Sequence, residues 1–134
     1  MKKTLRSSCP INFGLEIFGD QWSLMIIRDI VFNQKSTYGD FLNSAEGIST
    51  NILAKRLTHL LESGLLTKHK CPDNGRIIRY GLTDKGKSLI PVLLEMIIWG
   101  ADNGEHNPSL SAWANAIRTD KEQALKDALA RLEQ

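Results

Sequence analysis

The chain has 134 residues, 42% hydrophobic and 24% charged, a composition typical of a single globular domain. Seventeen Lys and Arg against fifteen Asp and Glu leave a net charge of +2, which does not by itself identify a polyanionic partner. No apolar run approaches the ~20 residues of a membrane span, so we expect a cytoplasmic protein without membrane contact. The two cysteines, Cys9 and Cys71, argue against a disulfide framework and against a four-cysteine zinc site.

Apolar periodicity predicts four helices in the first half of the chain. They cover residues 10–18, 21–32, 37–42 and 50–63. Pro10 suits the first position of the first helix, and Asp20 suits the cap of the second. Because the second helix is apolar on nearly all sides, it should lie at the centre of the core.

The fourth helix is amphipathic. Ser49 is a suitable cap for its start, and Gly64 suits the left-handed residue after its end. Four leucines fall on one side of this helix: Leu53, Leu57, Leu60 and Leu61. Four polar residues fall on the opposite side: Asn51, Lys55, Thr58 and Glu62. We therefore expect one side to pack on the core and the other to face solvent.

The second half predicts a hairpin followed by more helices. Residues 65–71 and 76–82 read as two strands around the turn Asp73-Asn74-Gly75, and no other strand pair is apparent. Thr83 should cap a helix that is apolar from residue 89 to residue 99 and is bent at Pro91. A helix this apolar needs cover, either from its own domain or from a second subunit. A short helix over residues 112–117 and a last helix, opened by a capping box of Thr119 with Glu122, should follow.

Charge is unevenly distributed along the chain. Residues 50–90 hold eight Lys and Arg against three Asp and Glu, a local balance of +5. Residues 95–134 hold four against seven, a balance of −3. Residues 50–90 could therefore bind a polyanion and residues 95–134 could not. A solvated surface on which positive and negative charges are separated would show the same pattern.

A short helix, a turn, a capped amphipathic helix and a basic hairpin form the layout of a winged helix-turn-helix, in which the second helix enters the DNA major groove. The fold class predicted is therefore mainly α with a small β-hairpin wing. Asn can pair with adenine, and Lys can reach guanine or a phosphate. The candidate DNA contacts are Ser49, Thr50, Asn51 and Lys55 on the helix, Lys68, Arg76 and Arg79 on the wing, and Ser36, Thr37 and Tyr38 before the turn.

Residues 9–99 resemble the HxlR-type bacterial transcription regulators, winged-helix relatives of the MarR group. The resemblance rests on Cys9-Pro10, Trp22 with Leu24 and Arg28, Phe41, Gly47-Ile48-Ser49, Arg56-Leu57, Gly64-Leu65, Tyr80-Gly81-Leu82-Thr83, Gly86 with Leu89, Pro91 and Trp99-Gly100. It implies a homodimer joined through the N-terminal and C-terminal helices, acting on a two-fold symmetric site in double-stranded DNA. Arg79 departs from the family, where an acidic residue often precedes the wing tyrosine. The tail after Asn103 is also longer than in the minimal family member.

We therefore expect three parts: a flexible tail over residues 1–8, a winged helix-turn-helix domain with dimerisation helices over residues 9–102, and a C-terminal helical extension over residues 103–134. The predicted function is sequence-specific transcriptional regulation by a DNA-binding homodimer. The alternative is a winged-helix module that binds a protein and no longer binds DNA.

A literal P-loop pattern spans residues 81–88. A nucleotide site would need that loop to follow a parallel strand, with a second strand carrying an acidic residue to Mg²⁺. Here the strand belongs to a hairpin, and a helix capped by Thr83 would already contain Gly86. With no catalytic triad or carboxylate pair in the sequence, we expect neither an enzyme nor a cofactor.

Cys9 lies where a helix N-terminus, with Arg6 and Lys3 nearby, would stabilise a thiolate. It could sense oxidants, as in some relatives of the resembled family, or be an inert capping thiol. His69 and Cys71 are too few for a metal site. His59 should lie on the outer side of its helix, near the DNA backbone or in solvent. Four aromatics could line a small-molecule effector pocket or simply be core: Phe13, Phe18, Trp22 and Trp99.

Overall fold

The computed structural model describes residues 5–133, so part of the predicted tail, residues 1–4, lies outside the described residues. In chain order, the elements are α1 Pro10–Phe18, α2 Ser23–Phe32, α3 Tyr38–Leu42, α4 Thr50–Glu62, β1 Leu66–Lys70, β2 Ile78–Leu82, α5 Asp84–Lys87, α6 Ile90–Asn103, α7 Pro108–Thr119 and α8 Lys121–Leu132. The two strands form an antiparallel hairpin in which Leu66 faces Leu82 and Lys70 faces Ile78. The predicted fold class, mainly helical with a small hairpin wing, is confirmed.

The core is built around α2. Ile27 and Val31 are completely buried there, and α4 adds the fully buried Leu53 and Leu60 from the apolar side that the periodicity predicts. The C-terminal helices join the same cluster, because Ala128 of α8 is 2% exposed within it. One continuous core therefore supports the helix-turn-helix, the base of the wing and the C-terminal extension.

The predicted single helix after the wing is two helices. Thr83 caps α5, with its hydroxyl accepting a hydrogen bond from the Gly86 N–H at 3.0 Å, and α5 ends at Lys87. Pro91 is the second residue of α6, where a missing N–H leaves no intrahelical bond unmade. The predicted bend is wrong, because Pro91 starts a helix instead of interrupting one.

The C-terminal extension also differs from the prediction. Asn107 caps α7 through its side chain, so this helix covers residues 108–119 and is longer than the predicted 112–117. Asp120, not Thr119, caps α8 by accepting a hydrogen bond from the Gln123 N–H. The Thr119 hydroxyl instead donates to the Asn115 carbonyl at 2.8 Å, so the capping box predicted at Thr119 is wrong.

A short extended segment also joins the edge of the hairpin. Thr37 forms a bridge with Arg79, and the Tyr80 N–H donates to the Ser36 carbonyl at 2.7 Å. A two-residue pairing is too short to produce an alternating pattern, and for that reason it was missed. It joins the beginning of α3 to the wing.

Candidate nucleic-acid interface

The polar side of α4 is open to solvent. The Ser49 hydroxyl caps this helix by accepting from the Ile52 N–H at 3.3 Å, and the turn before it passes through Gly47 at φ 73°. Ser49, Thr50, Asn51 and Lys55 are all exposed, as predicted for a surface that enters a DNA groove. Ile52, 38% exposed, lies beside them. Its apolar character placed it outside the predicted contacts, although an apolar group can contact a thymine methyl.

A polar network holds the turn between α3 and α4 against α2. Arg28 makes two hydrogen bonds to Glu46, at 2.6 and 2.8 Å, and also bonds to Asp29. Asp29 is completely buried and accepts from Asn33 at 2.8 Å and from the Ser44 hydroxyl. The hydrogen bonds from Arg28 hold the pKa of Glu46 below its ordinary value, so Glu46 is ionised near neutral pH. Helical periodicity carries no signal for pairs 15 to 18 residues apart, so this network was not predicted.

Two lateral contacts fix the sides of α4. The His59 Nε2 donates to the Ile17 carbonyl of α1 at 2.7 Å, and Arg56 pairs with Asp20 at 3.2 Å. The His59 side chain is therefore half-buried and hydrogen-bonded within the fold, and the predicted outward position of this residue is wrong. The prediction considered α4 alone, without the neighbour that α1 supplies.

The beginning of α3 is held by a capping box. The Thr37 hydroxyl accepts from the Asp40 N–H, and the Asp40 carboxylate accepts from the N–H groups of Ser36 and Thr37. The Ser36 N–H, followed by that of Thr37, lowers the pKa of Asp40 against the opposing effect of burial. The Tyr38 hydroxyl donates to the Thr50 carbonyl at 3.0 Å. Three of the predicted contacts, Thr37, Tyr38 and Thr50, are thus brought together.

The wing brings some of the predicted basic residues to the same surface and separates others. A groove of about 470 Å³ between α3 and the wing is lined by Thr37, Tyr38 and Arg76, among others. Because strand side chains alternate between faces, the observed register places Lys68 on one face of the hairpin and Arg79 on the opposite one. Arg79 donates through Nη1 to the Ser36 hydroxyl at 2.8 Å, so these two predicted contacts bond to each other.

The literal P-loop pattern does not form a phosphate loop. Gly86 is buried within α5, and a Cβ there would lie 2.3 Å from the Leu65 carbonyl oxygen. Glycine is needed for this close approach to backbone, and the Gly86 N–H is already bonded to Thr83. The pattern thus marks the packing of α5 against the base of the wing.

The two cysteines are both free thiols, and they lie in different parts of the fold. Cys9 is exposed at the N-cap of α1, where Arg6 bonds to Glu16 at 3.1 Å; Lys3 is outside the described residues. The N–H groups of Asp73 and Asn74 lower the pKa of the Cys71 thiol. Within residues 5–133, no group of three or more His, Cys, Asp or Glu could hold a metal ion.

Of the four aromatics predicted to line a pocket or to be core, two are half-buried and two are exposed. Trp22 and Phe18 are half-buried, whereas Phe13 is 46% exposed on α1 and Trp99 is 71% exposed on α6. Other large apolar residues are exposed on these two helices: Ile11 and Leu15 on α1, and Met96 on α6. Over the described part of the chain, no helix is both long and apolar enough to cross a bilayer.

Comparison with known proteins identifies the family. The family described as HxlR-like helix-turn-helix matches residues 17–108. The uncharacterised HTH-type transcriptional regulator sll1512 of Synechocystis is 31% identical over 94 residues, which cover 70% of this chain and 69% of that protein. The relatives and structural neighbours of the present chain are transcription regulators, not enzymes.

Solved structures agree with this assignment. The crystal structure of PA1607, a proposed transcription factor, superimposes with a TM-score of 0.67 at 36% identity, covering 76% of this chain and 73% of that one. A proposed MarR-family regulator from Porphyromonas gingivalis W83 gives a TM-score of 0.64 at 28% identity, covering 76% and 99%. The chain therefore belongs to the HxlR-like helix-turn-helix family of transcriptional regulators.

Proposed function

We propose that this regulator binds double-stranded DNA sequence-specifically, with α4 in the major groove. The observation that carries the proposal is the exposed polar side of α4, with Ser49, Thr50, Asn51 and Lys55. The Arg28–Glu46 pair joins the turn before this helix to α2. Asn51 is assigned to base reading, because Asn recognises adenine by two hydrogen bonds. Lys55 is assigned to a guanine or a phosphate.

The wing and the start of α3 supply the phosphate contacts in this proposal. Thr37, Tyr38 and Arg76 line one groove beside α4, and Lys68 adds positive charge on the wing. Ser36 and Arg79 stay predicted contacts. Each would have to exchange their mutual hydrogen bond for one to a phosphate.

We further propose that the protein acts as a homodimer on a two-fold symmetric operator. The exposed apolar side chains of α1 and α6, with Trp99 71% exposed, need cover that the described residues of one chain do not provide. A second copy would cover them and would present two α4 helices to successive half-sites. Residues 9–102 would then act as the DNA-binding and dimerising unit, with residues 103–134 as a helical extension. A regulator of chromosomal DNA would work in the cytoplasm.

Exposed Cys9 at a helix N-terminus supports a redox effector as the signal, and an inert thiol is the alternative. Oxidation of the wild type with diamide, compared with Cys9→Ser, separates the two. A redox role predicts that diamide changes DNA affinity only when Cys9 is present.

The experiment that tests DNA binding is selection of bound fragments from genomic DNA with the purified protein, followed by retardation of the recovered duplex at low salt. The proposal predicts a recurrent sequence with two-fold symmetry. The competing function, a winged-helix module that binds protein only, predicts no enriched sequence and no retarded duplex.

A further inference from the structure

A second groove is lined by none of the residues proposed to read bases, although it includes Ser36 and Arg79 from the predicted phosphate contacts. It is a groove of about 560 Å³ bordered by β2, by residues 34–36, by Lys87 of α5 and by the end of α8. Pockets that bind small molecules in proteins usually have volumes of ~300–1,000 Å³. The groove therefore has the size of a ligand site.

Positive charge dominates the lining. Lys35, Arg79, Lys87 and Arg131 all contribute, and no Asp or Glu belongs to the lining. Among the described residues, neither Lys87 nor Arg131 has a carboxylate within 4.0 Å. Lys35 is 3.8 Å from Asp29, and Arg79 donates to the Ser36 hydroxyl and also interacts with the Asp40 carboxylate and with Cys71. Lys87 and Arg131 therefore lack a matching anion, and unmatched cations in a cleft attract a negatively charged ligand.

The groove also has an apolar part. Ile30 is 6% exposed, and the partly buried Leu82 and Leu132 lie with it in the lining. Gln34, at the rim, has φ 51°, in the left-handed region that favours glycine. Such backbone strain is found preferentially at binding and switch sites.

We propose that this groove binds a small organic anion, with a carboxylate or phosphate held by Lys87 and Arg131 and a compact apolar body against Leu82 and Leu132. Arg131 and Leu132 lie beyond residues 17–108, which match the family. The site is therefore built partly from the C-terminal extension of this chain. The proposal does not rest on DNA binding, because the ligand can be measured without DNA.

The test is calorimetric titration of the full chain, in low-salt buffer without DNA, with benzoate, phenyl phosphate, inorganic phosphate and the uncharged benzamide. We expect saturable binding of one ligand per chain for benzoate or phenyl phosphate, and the tighter of the two identifies the headgroup. Benzamide should bind at least about tenfold more weakly, since it lacks charge-assisted hydrogen bonds. Inorganic phosphate should bind more weakly than phenyl phosphate, because it lacks the apolar body.

Single variants locate the site. Lys87→Gln and Arg131→Gln should each weaken the bound probe about tenfold. Lys126→Gln, which removes an exposed cation of α8 outside the groove, should leave affinity unchanged, and thermal unfolding should show all three folded. Three results would overturn the proposal: no saturable binding of either aromatic anion, equal binding of benzamide, or unchanged affinity in both groove variants. Loss of duplex affinity in Arg131→Gln without any small-anion binding would assign the groove to the DNA backbone instead.

Discussion

Asn51 occupies the second position of α4, exposed beside the cap at Ser49. If it pairs with a base, Asn51→Ala should weaken binding to the selected operator by ~1–3 kcal/mol and leave binding to a scrambled duplex unchanged. Fluorescence anisotropy titrations of both duplexes measure the difference. Lys68→Ala is the control, because loss of a phosphate contact should weaken both duplexes alike. Equal losses on both duplexes for Asn51→Ala would remove this residue from base reading.

Gly86 shows how a residue can match a functional motif for a packing reason. Adding a methyl group at Gly86 would force the Leu65 carbonyl to move, so Gly86→Ala should destabilise the fold by ~1–3 kcal/mol in urea unfolding. Gly39→Ala is the matched control, because no atom lies within 4 Å of a Cβ at Gly39. Its stability should change by less than ~1 kcal/mol. A Gly86→Ala protein as stable as the wild type would contradict this packing.

Single residues were predictable from the sequence where local pattern determines them. The cap at Ser49, the left-handed turn at Gly64 and the buried position of Leu53 all follow from spacing within one helix. His59 was not, because its partner is the carbonyl of Ile17, 42 residues earlier. Contacts of this kind depend on how two helices pack.

At the level of elements, the Arg28–Glu46 pair joins α2 to the turn before α4, and we expect it to help set the orientation of α4. Glu46→Gln should weaken operator binding several-fold while reducing stability by less than ~1 kcal/mol, because the pair is partly exposed. Glu62→Gln is the matched control, since Glu62 is an exposed acid of α4 with no ion pair among the described residues. Operator affinity measured for both variants should fall only in Glu46→Gln. Loss of one negative charge by itself favours DNA binding, so a fall of the same size in both variants would contradict a specific role for the pair.

The same pair predicts a dependence on pH. The pKa of Glu46 is lowered in the folded protein from its ordinary 4.5, so the unfolded chain binds the proton more readily. Stability from this pair is complete above the unfolded value and is lost as pH falls through the folded value. Thermal unfolding should separate wild type from Glu46→Gln at pH 7, and the separation should shrink as the pH falls below 4.5. A separation that is as large at pH 3 would contradict the assignment.

Element boundaries were predictable where one local cap or turn determines them. The predictions were wrong where two cap residues, or two roles for one residue, were equally possible. Pro91 fits both a bend within a helix and the start of one, and the break after Lys87 decides for the start. Thr119 and Asp120 are both good caps; Asp120 accepts from the Gln123 N–H, whereas the Thr119 hydroxyl donates back to the Asn115 carbonyl. The polar surface of α4 was predictable from periodicity, whereas the opposite faces of Lys68 and Arg79 follow from the observed register.

At the level of the whole molecule, the exposed apolar residues of α1 and α6 predict dimerisation. Light scattering should give about twice the chain mass of 15.0 kDa for the wild type and the single-chain mass for Trp99→Asp. A charge at the centre of an apolar interface is left without a partner when buried, and this opposes association. Ile77→Asp introduces the same charge in place of an exposed apolar residue of the wing, and this variant should stay dimeric. A monomeric wild type, or a dimeric Trp99→Asp, would contradict the proposed interface.

The proposal that the polar side of α4 and the basic wing form one DNA-binding surface is tested most directly by the affinity for the selected duplex as salt is raised. Contacts to ~6–10 phosphates predict a fall of ~10³ or more between 50 and 200 mM salt, because counterions are released from DNA on binding. The selected duplex should remain preferred over a scrambled one throughout. Absence of retardation at 50 mM salt, or an affinity that barely changes over this range, would contradict the proposed surface.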